Sequence, residues 1–261
     1  MKTVADFARA QRAAPLVVVT AYDAQLARLA AAADVDALLV GDSVAMVVHG
    51  YASTVHATTA MMVAHVAAVR RGAPDILIVA DLPFLAVRRG LVAATDAAGD
   101  LLRAGANAVK IEGVAGHEEV IAHLVGSGIP VMGHLGVTPQ AVHQQGYRVR
   151  GRTRPEAARL RADAKTLQRL GAFALVLECV PAALAATLTR GLAIPTVGIG
   201  AGPHTSGQVI VLNDLLGLDP SFRPRFARSY LDGAGLVTAA VAAFARDVRA
   251  GGFPSARETP A

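Results

Sequence analysis

The sequence predicts an α/β fold, a (β/α)8 TIM barrel with a short N-terminal helix and a C-terminal helix. Three observations carry that expectation. Short apolar runs alternate with alanine-rich helical stretches along the chain. Eight such runs fall within about 250 residues, the usual size of this barrel. Each run is continuous rather than alternating, as a strand buried on both faces requires.

Taken in order, Thr3 with Asp6 three residues on forms a capping box that opens a short helix. The expected strands are residues 16–20, 37–40, 76–80, 108–111, 130–133, 173–177, 195–199 and 209–212. The helical stretch 58–71 stops at Gly72 and carries Arg70 and Arg71 in its last turn, where the helix dipole favours cations. The stretch 155–170 opens on Pro155 and ends before Gly171. Residues 233–250 read as a terminal helix and 251–261 as a loose tail. No linker rich in Pro, Gly or Ser interrupts the chain, so 1–261 reads as one domain with its barrel over about 16–250. A doubly wound open sheet competes, but it wants a glycine-rich turn after the first strand, and Ala21-Tyr22-Asp23 has no glycine. Gly198-Ile199-Gly200-Ala201-Gly202 comes late and lacks the Lys-Ser/Thr of a phosphate loop, so it reads as a tight turn.

Composition narrows the function classes. With 53% apolar and 17% charged residues, the 261-residue chain is not globally disordered. Charged residues or histidine break every apolar run far short of the roughly 20 residues a membrane span needs. Asp6, Arg9 and Arg12 stand where a signal peptide would be apolar, so a soluble, cytoplasmic protein is expected. Cys179 is the single cysteine, which excludes a disulfide within the chain and a multi-cysteine metal site. A net charge of +5 permits an anionic ligand, while 4% aromatics and no Trp leave few platforms for stacking bases. Arg148, Arg150, Arg152 and Arg154 alternate in a glycine-containing segment and read as a solvated loop rather than a nucleic-acid contact.

The chemistry-bearing residues gather after the strands. Asp42 and Ser43 follow the second, Asp81 the third, His134 the fifth and Glu178 the sixth, while Lys110 and Glu112 close the fourth. In such a barrel the carboxyl ends of the strands face the active site. Lys110 and Glu112, two apart in an extended chain, project to the same side. Carboxylates at the edge of a dry core cost free energy unless paired or metal-bound. Three of them beside one lysine suit a hard dication such as Mg²⁺; Zn²⁺ is disfavoured because no His pair has ligand spacing on one element. The bland alternative makes each Asp a helix N-cap. His49, His56, His117, His123, His143 and His204 show no spacing that implies chemistry, and His65 reads as a packed or surface residue of the second helix. Cys179 is expected to point away from Glu178 and pack against a helix. Neither Ser43 nor Ser206 sits in a nucleophile elbow.

Several segments, in order, resemble the ketopantoate hydroxymethyltransferase (3-methyl-2-oxobutanoate hydroxymethyltransferase) family. They are Thr20-Ala21-Tyr22-Asp23, Leu39-Val40-Gly41-Asp42-Ser43, Ala80-Asp81-Leu82-Pro83-Phe84 and Val109-Lys110-Ile111-Glu112-Gly113. Gly133-His134-Leu135-Gly136-Val137-Thr138-Pro139-Gln140, Leu177-Glu178-Cys179-Val180-Pro181, the glycine segment 198–202 and Pro224-Arg225-Phe226 complete the set, spanning about residues 3–250. The resemblance implies a barrel enzyme of pantothenate biosynthesis. It would transfer a hydroxymethyl group from 5,10-methylenetetrahydrofolate to 3-methyl-2-oxobutanoate, giving 2-dehydropantoate and tetrahydrofolate through an enolate that Mg²⁺ stabilises. It further implies Asp42, Asp81 and Glu112 as ligands of one Mg²⁺ per subunit, and Asp42, Ser43, Asp81 and Lys110 as the ketoacid site. Glu178 becomes the proton acceptor, and the assembly a cytoplasmic homo-oligomer, commonly a decamer. The basic loop 143–154 has the length of a functional lid, and its arginines could meet folate carboxylates.

Val114, Val44-Ala45 and Gln144-Gln145-Gly146-Tyr147 depart from the family pattern without removing a charged group. Two other readings compete. A Mg-dependent C–C lyase of the phosphoenolpyruvate-mutase/isocitrate-lyase type would normally carry a Lys-Lys-Cys-Gly-like loop, which is absent here. A catalytically silent barrel used as a binding module has no evident reason to keep all four acids and Lys110.

Overall fold

The structure is a computed structural model that describes residues 2–222, 224–255 and 257–259, apart from the side chain of Gln145. Two compact units make up the chain, residues 1–210 and 211–261. In the first, among the described residues, eight parallel strands close into a barrel in sequence order, as expected. They are β1 (Leu16–Thr20), β2 (Ala37–Val40), β3 (Leu77–Asp81), β4 (Ala108–Glu112), β5 (Val131–Gly136), β6 (Ala174–Glu178), β7 (Thr196–Ile199) and β8 (Gly207–Ile210). β8 pairs with β1, Gly207 opposite Leu16, which closes the ring.

The helices of this unit are α1 (Val4–Ala10), α2 (Ala24–Ala32), α3 (Val44–Val47), α4 (Thr59–Gly72), α5 (Leu91–Arg103), α6 (Glu118–Gly126), α7 (Val142–Gln145), α8 (Arg154–Arg169) and α9 (Ala182–Gly191). Their starts follow local chemistry. Thr3 and Asp6 cap α1 reciprocally, as the sequence predicts, and Thr153 and Glu156 do the same for α8. Thr58 caps α4 through Met61 N–H. Inward side chains at every second strand position, among them Leu16, Val18, Leu77, Val79, Met132 and Val176, fill the barrel, and Phe7 of α1 is buried against them.

Two strands differ from the sequence reading by more than one residue at an end. β8 starts at Gly207 rather than at 209, because its first residues are Gly and the exposed Gln208, which a search for apolar runs passes over. β5 continues past 133 through His134 to Gly136, where pairing with Glu112 and Val176 holds a polar residue in the strand.

The second unit holds α10 (Leu212–Leu216) and α11 (Gly233–Arg249), the latter capped by Asp232 and matching the expected terminal helix. In the segment expected to be a loose tail, Phe253 packs edge-on against Phe244 at 5.1 Å between ring centroids; positions 256, 260 and 261 lie outside the described residues. Among the described residues no helix is long and apolar enough to cross a membrane.

Candidate active site

The period of two that fills the barrel also builds the site. In β3, Leu77 and Val79 point into the core and Asp81 is the next inward position. In β4 the inward series Ala108 continues to Lys110 and Glu112. In β5 it runs from Met132 to His134, and in β6 from Ala174 and Val176 to Glu178. The site is the polar layer stacked on an apolar core, at the carboxyl end where barrel enzymes work.

Asp42 arrives differently, from the turn after β2. A Cβ on Gly41 would lie 2.9 Å from Ser43 Oγ and 3.6 Å from Asp81 Oδ2, so the small residue lets the turn close. Asp42 N–H then donates to Asp81 Oδ2 at 3.0 Å. Neither Asp42 nor Asp81 caps a helix: the N-cap of α3 is Ser43, whose side chain makes no capping bond. Ser43 Oγ instead meets the buried Tyr22 hydroxyl at 2.8 Å.

The charged groups form one buried network. Lys110 Nζ lies 3.1 Å from Asp81 Oδ1 and 3.2 Å from His134 Nδ1. His134 reaches both flanking acids, with Nδ1 3.4 Å from Glu112 Oε1 and Nε2 3.3 Å from Glu178 Oε2. These are ion-pair distances; the Nε2–H direction does not line up on Glu178. Burial and Lys110 press the imidazole toward neutrality, but Glu112 and Glu178 outweigh them and hold its pKa up at about 9. Burial alone would lower the Lys110 ammonium, yet Asp81, Glu112 and Asp42 keep it firmly charged. Asp42 is pushed well above the ordinary carboxylate range, by burial first and then by Asp81 and Glu112. Asp81 is raised by burial against the opposing pull of Lys110. Glu112 goes the other way, because bonds from His134 and Gln140 and the charge of Lys110 overcome its burial.

These observations bear on a divalent cation. Three buried carboxylates face one ammonium and the His134 imidazole, and Asp81 Oδ1, close to Lys110, still completes no hydrogen bond. Hard oxygens, surplus negative charge and an unsatisfied carboxylate atom fit a hard dication. Among the described residues no three His, Cys, Asp or Glu side chains already surround one point. A preformed cage is not required, since Mg²⁺ is usually held by one or two carboxylates and completed by water and substrate.

A cavity of about 910 Å³ opens beside the cluster, within the range of small-molecule sites. Glu112, Gln140, Leu135 and Gly136 line it on the cluster side; Arg88, Arg148, Arg150 and Arg159 line it elsewhere. Arg148, in the segment expected to be a solvated loop, is exposed there, and with Arg150 it also lines the cavity. Gly136 needs its glycine: at φ +107° a Cβ would sit 2.0 Å from the Glu178 carbonyl oxygen. That carbonyl accepts from Val137 N–H at 2.9 Å, which pins the end of β6 to β5. Cys179, expected to continue the strand alternation, instead adopts φ +49° and turns the chain immediately after Glu178.

The structure thus brings Asp42, Ser43, Asp81, Lys110, Glu112 and Glu178 to one end of the barrel. Sequence reasoning placed His134 among the chemistry-bearing residues without a defined role and gave none to Tyr22 or Gln140. The signal for His134 was available in strand parity once β5 was extended. Gln140 acts across long sequence separations that no local pattern reveals. Of the departures from the family pattern, Val44, Ala45 and Val114 are buried apolar residues.

The fold and the acidic, lysine-containing mouth define an enzyme of the (β/α)8 class with a candidate carboxylate-rich active site. A profile of ketopantoate hydroxymethyltransferase matches residues 1–256. A 3-methyl-2-oxobutanoate hydroxymethyltransferase of Bdellovibrio bacteriovorus is 45% identical over 261 residues, covering 99% of each chain. One from a Methylobacterium species is 52% identical over 245 residues, 94% of this chain and 85% of its own. The chain belongs to the ketopantoate hydroxymethyltransferase family and is a hydroxymethyltransferase. Among solved structures, 2,3-dimethylmalate lyase of the PEP mutase/isocitrate lyase superfamily aligns over 100% of this chain and 89% of its own. Its TM-score is 0.63 at 19% identity. Phosphonopyruvate hydrolase in complex with oxalate and Mg²⁺ covers 100% and 92%, with TM-score 0.64 at 14% identity. At those identities the likeness concerns the fold alone.

Proposed function

We propose that the protein transfers a hydroxymethyl group from 5,10-methylenetetrahydrofolate to 3-methyl-2-oxobutanoate, forming 2-dehydropantoate and tetrahydrofolate for pantothenate synthesis. The observation that carries this reading is the single buried network joining Asp42, Asp81, Lys110, Glu112, His134 and Glu178 beside the cavity, in a chain of this family. Asp42, Asp81 and Glu112 would hold Mg²⁺. Glu112 is the least free of them, with Oε1 near His134 and Oε2 accepting from Gln140 N–H. The bound ion would supply positive charge against the density that builds on the keto oxygen as the neighbouring carbon loses its proton.

The chain's own groups do the rest. Asp42, Ser43, Asp81 and Lys110 would bind the ketoacid, with the ammonium of Lys110 close to its oxygens. Glu178 would take the C3 proton. It stands on β6, across the network from β2 and β3, with His134 Nε2 3.3 Å from its Oε2. The carbon so activated would form its new bond to the folate-borne methylene carbon, and both bonds from that methylene to the folate nitrogens would break. Water would supply the hydroxyl oxygen, and its released proton together with the one lost from C3 balances the two protons that the nitrogens gain in tetrahydrofolate. The cavity arginines Arg148 and Arg150 would meet the folate carboxylates.

The C–C lyase reading shares only a fold with this chain, and a silent binding module leaves the buried charge without a use. Turnover of ketoacid with methylenetetrahydrofolate and Mg²⁺, abolished by chelator, is the expected result; no tetrahydrofolate formation would refute the reading. A cytoplasmic location, a single domain and a homodecamer belong to the same proposal. Light scattering for the mass and one cooperative unfolding transition for the domain test the last two.

A further inference from the structure

One residue reaches deeper into the charged network than any role described above explains. Gln140 lies in the 3₁₀ turn Pro139–Ala141 that follows β5. Its side-chain Nε2 donates to Asp42 Oδ2 at 2.8 Å and to the Leu82 carbonyl oxygen at 2.9 Å. Its backbone N–H donates to Glu112 Oε2 at 3.0 Å. The Leu82 carbonyl oxygen can only accept, so the opposite amide orientation would set oxygen against oxygen there. A single residue therefore holds two of the three clustered carboxylates. It also lines the cavity, as Glu112 does, while Asp42, to which it is bonded, does not.

We propose that Gln140 is a positioning residue for the cation site, a neutral donor that fixes Asp42 and Glu112 without cancelling their charge. This rests on the reading of the carboxylates as that site. The choice of donor is the physical point. An ammonium or guanidinium bonded to Asp42 would neutralise it and compete with a dication, as Lys110 already offsets Asp81. An amide N–H satisfies one oxygen of a buried carboxylate, leaves the charge in place and leaves the other oxygen to a ligand. Outer partners of this kind change metal affinity by about 10–100-fold when removed. Because the same residue sits on the chain leading from β5 to α7, it also registers that chain against the two acids.

The test is a Mn²⁺ titration of the full-length protein without substrate, free Mn²⁺ being read by electron paramagnetic resonance. Wild type, Gln140→Ala and Gln140→Met are compared, with thermal melting in chelator alongside. Met keeps the length and packing of the side chain and loses only the donor, so it guards against a variant that does not fold. The expected result is a Kd weakened about tenfold in both variants. Melting of Gln140→Met in chelator should stay close to wild type; weakened binding with unchanged melting is what a merely packing role would not produce. A Gln140→Met Kd indistinguishable from wild type would overturn the proposal. Failure of the wild-type protein to bind Mn²⁺ would instead sink the cation-site reading on which it rests.

Discussion

Two arcs of the same barrel mouth differ sharply. From β3 to β6 the last inward positions include Asp81, Lys110, Glu112, His134 and Glu178, and the turn after β2 adds Asp42. Across the ring, β7, β8 and β1 end their inward series in Ile199, Val209 and Thr20. Every neighbouring pair is parallel on both sides, although the β7–β8 ladder is shorter than those of β4–β5 and β5–β6. Neighbouring strands lie about 4.8 Å apart, so groups on adjacent strands can act on one small substrate. Confining the charge to one arc places each carboxylate within hydrogen-bond or ion-pair distance of a donor group, while the opposite arc ends in uncharged side chains. The lesson is that the barrel sets positions and the arc sets chemistry.

The comparison can be broken most severely at Glu178. Glu178→Gln should cut kcat by about 10²–10⁴ while leaving the fold intact, since a general base contributes about that much. Asp81→Asn should come next. It removes a ligand and leaves Lys110 without its partner, so we expect loss of divalent-cation binding in calorimetry and a fall in turnover of about 10²–10³. On the quiet arc, Ile199→Val should lower unfolding free energy by only about 0.5–1.5 kcal/mol in a denaturant titration, with kcat unchanged. A large kcat effect there would erase the distinction between the arcs.

The smallest effect concerns Cys179. Burial first, and then the Glu178 charge beside it, push its thiol up to about 11. Little thiolate is present at pH 8, so alkylation by iodoacetamide should be slow and should accelerate as pH rises toward 11. Glu178→Gln removes the repulsion, lowers the thiol pKa and should speed alkylation at pH 8. An unchanged rate would show that the two side chains do not sense each other.

Much of this was legible in the residues because it depends on local rules. Continuous apolar runs mark buried strands, and the period of two carries Asp81, Lys110 and Glu112 inward from known core positions. The capping box at Thr3 follows the same local logic. What was not legible depends on contacts distant in sequence. Gln140 earns no notice until Asp42 and Leu82 are seen beside it. The bend at Cys179 is a backbone conformation that its residue type disfavours, so no propensity announces it. The start of β8 was hidden because closing the ring against Leu16 takes a glycine rather than an apolar side chain; a Cβ at Gly207 would lie 2.4 Å from the Leu16 carbonyl oxygen.

Proton exchange is the most direct measurement of the central claim. Wild-type protein, 3-methyl-2-oxobutanoate and Mg²⁺ are combined in heavy water without any folate, and the C3 proton is followed by NMR. The account predicts that this proton washes out and that chelator stops the exchange. No exchange in the presence of Mg²⁺, or exchange that continues undiminished with chelator, would contradict it.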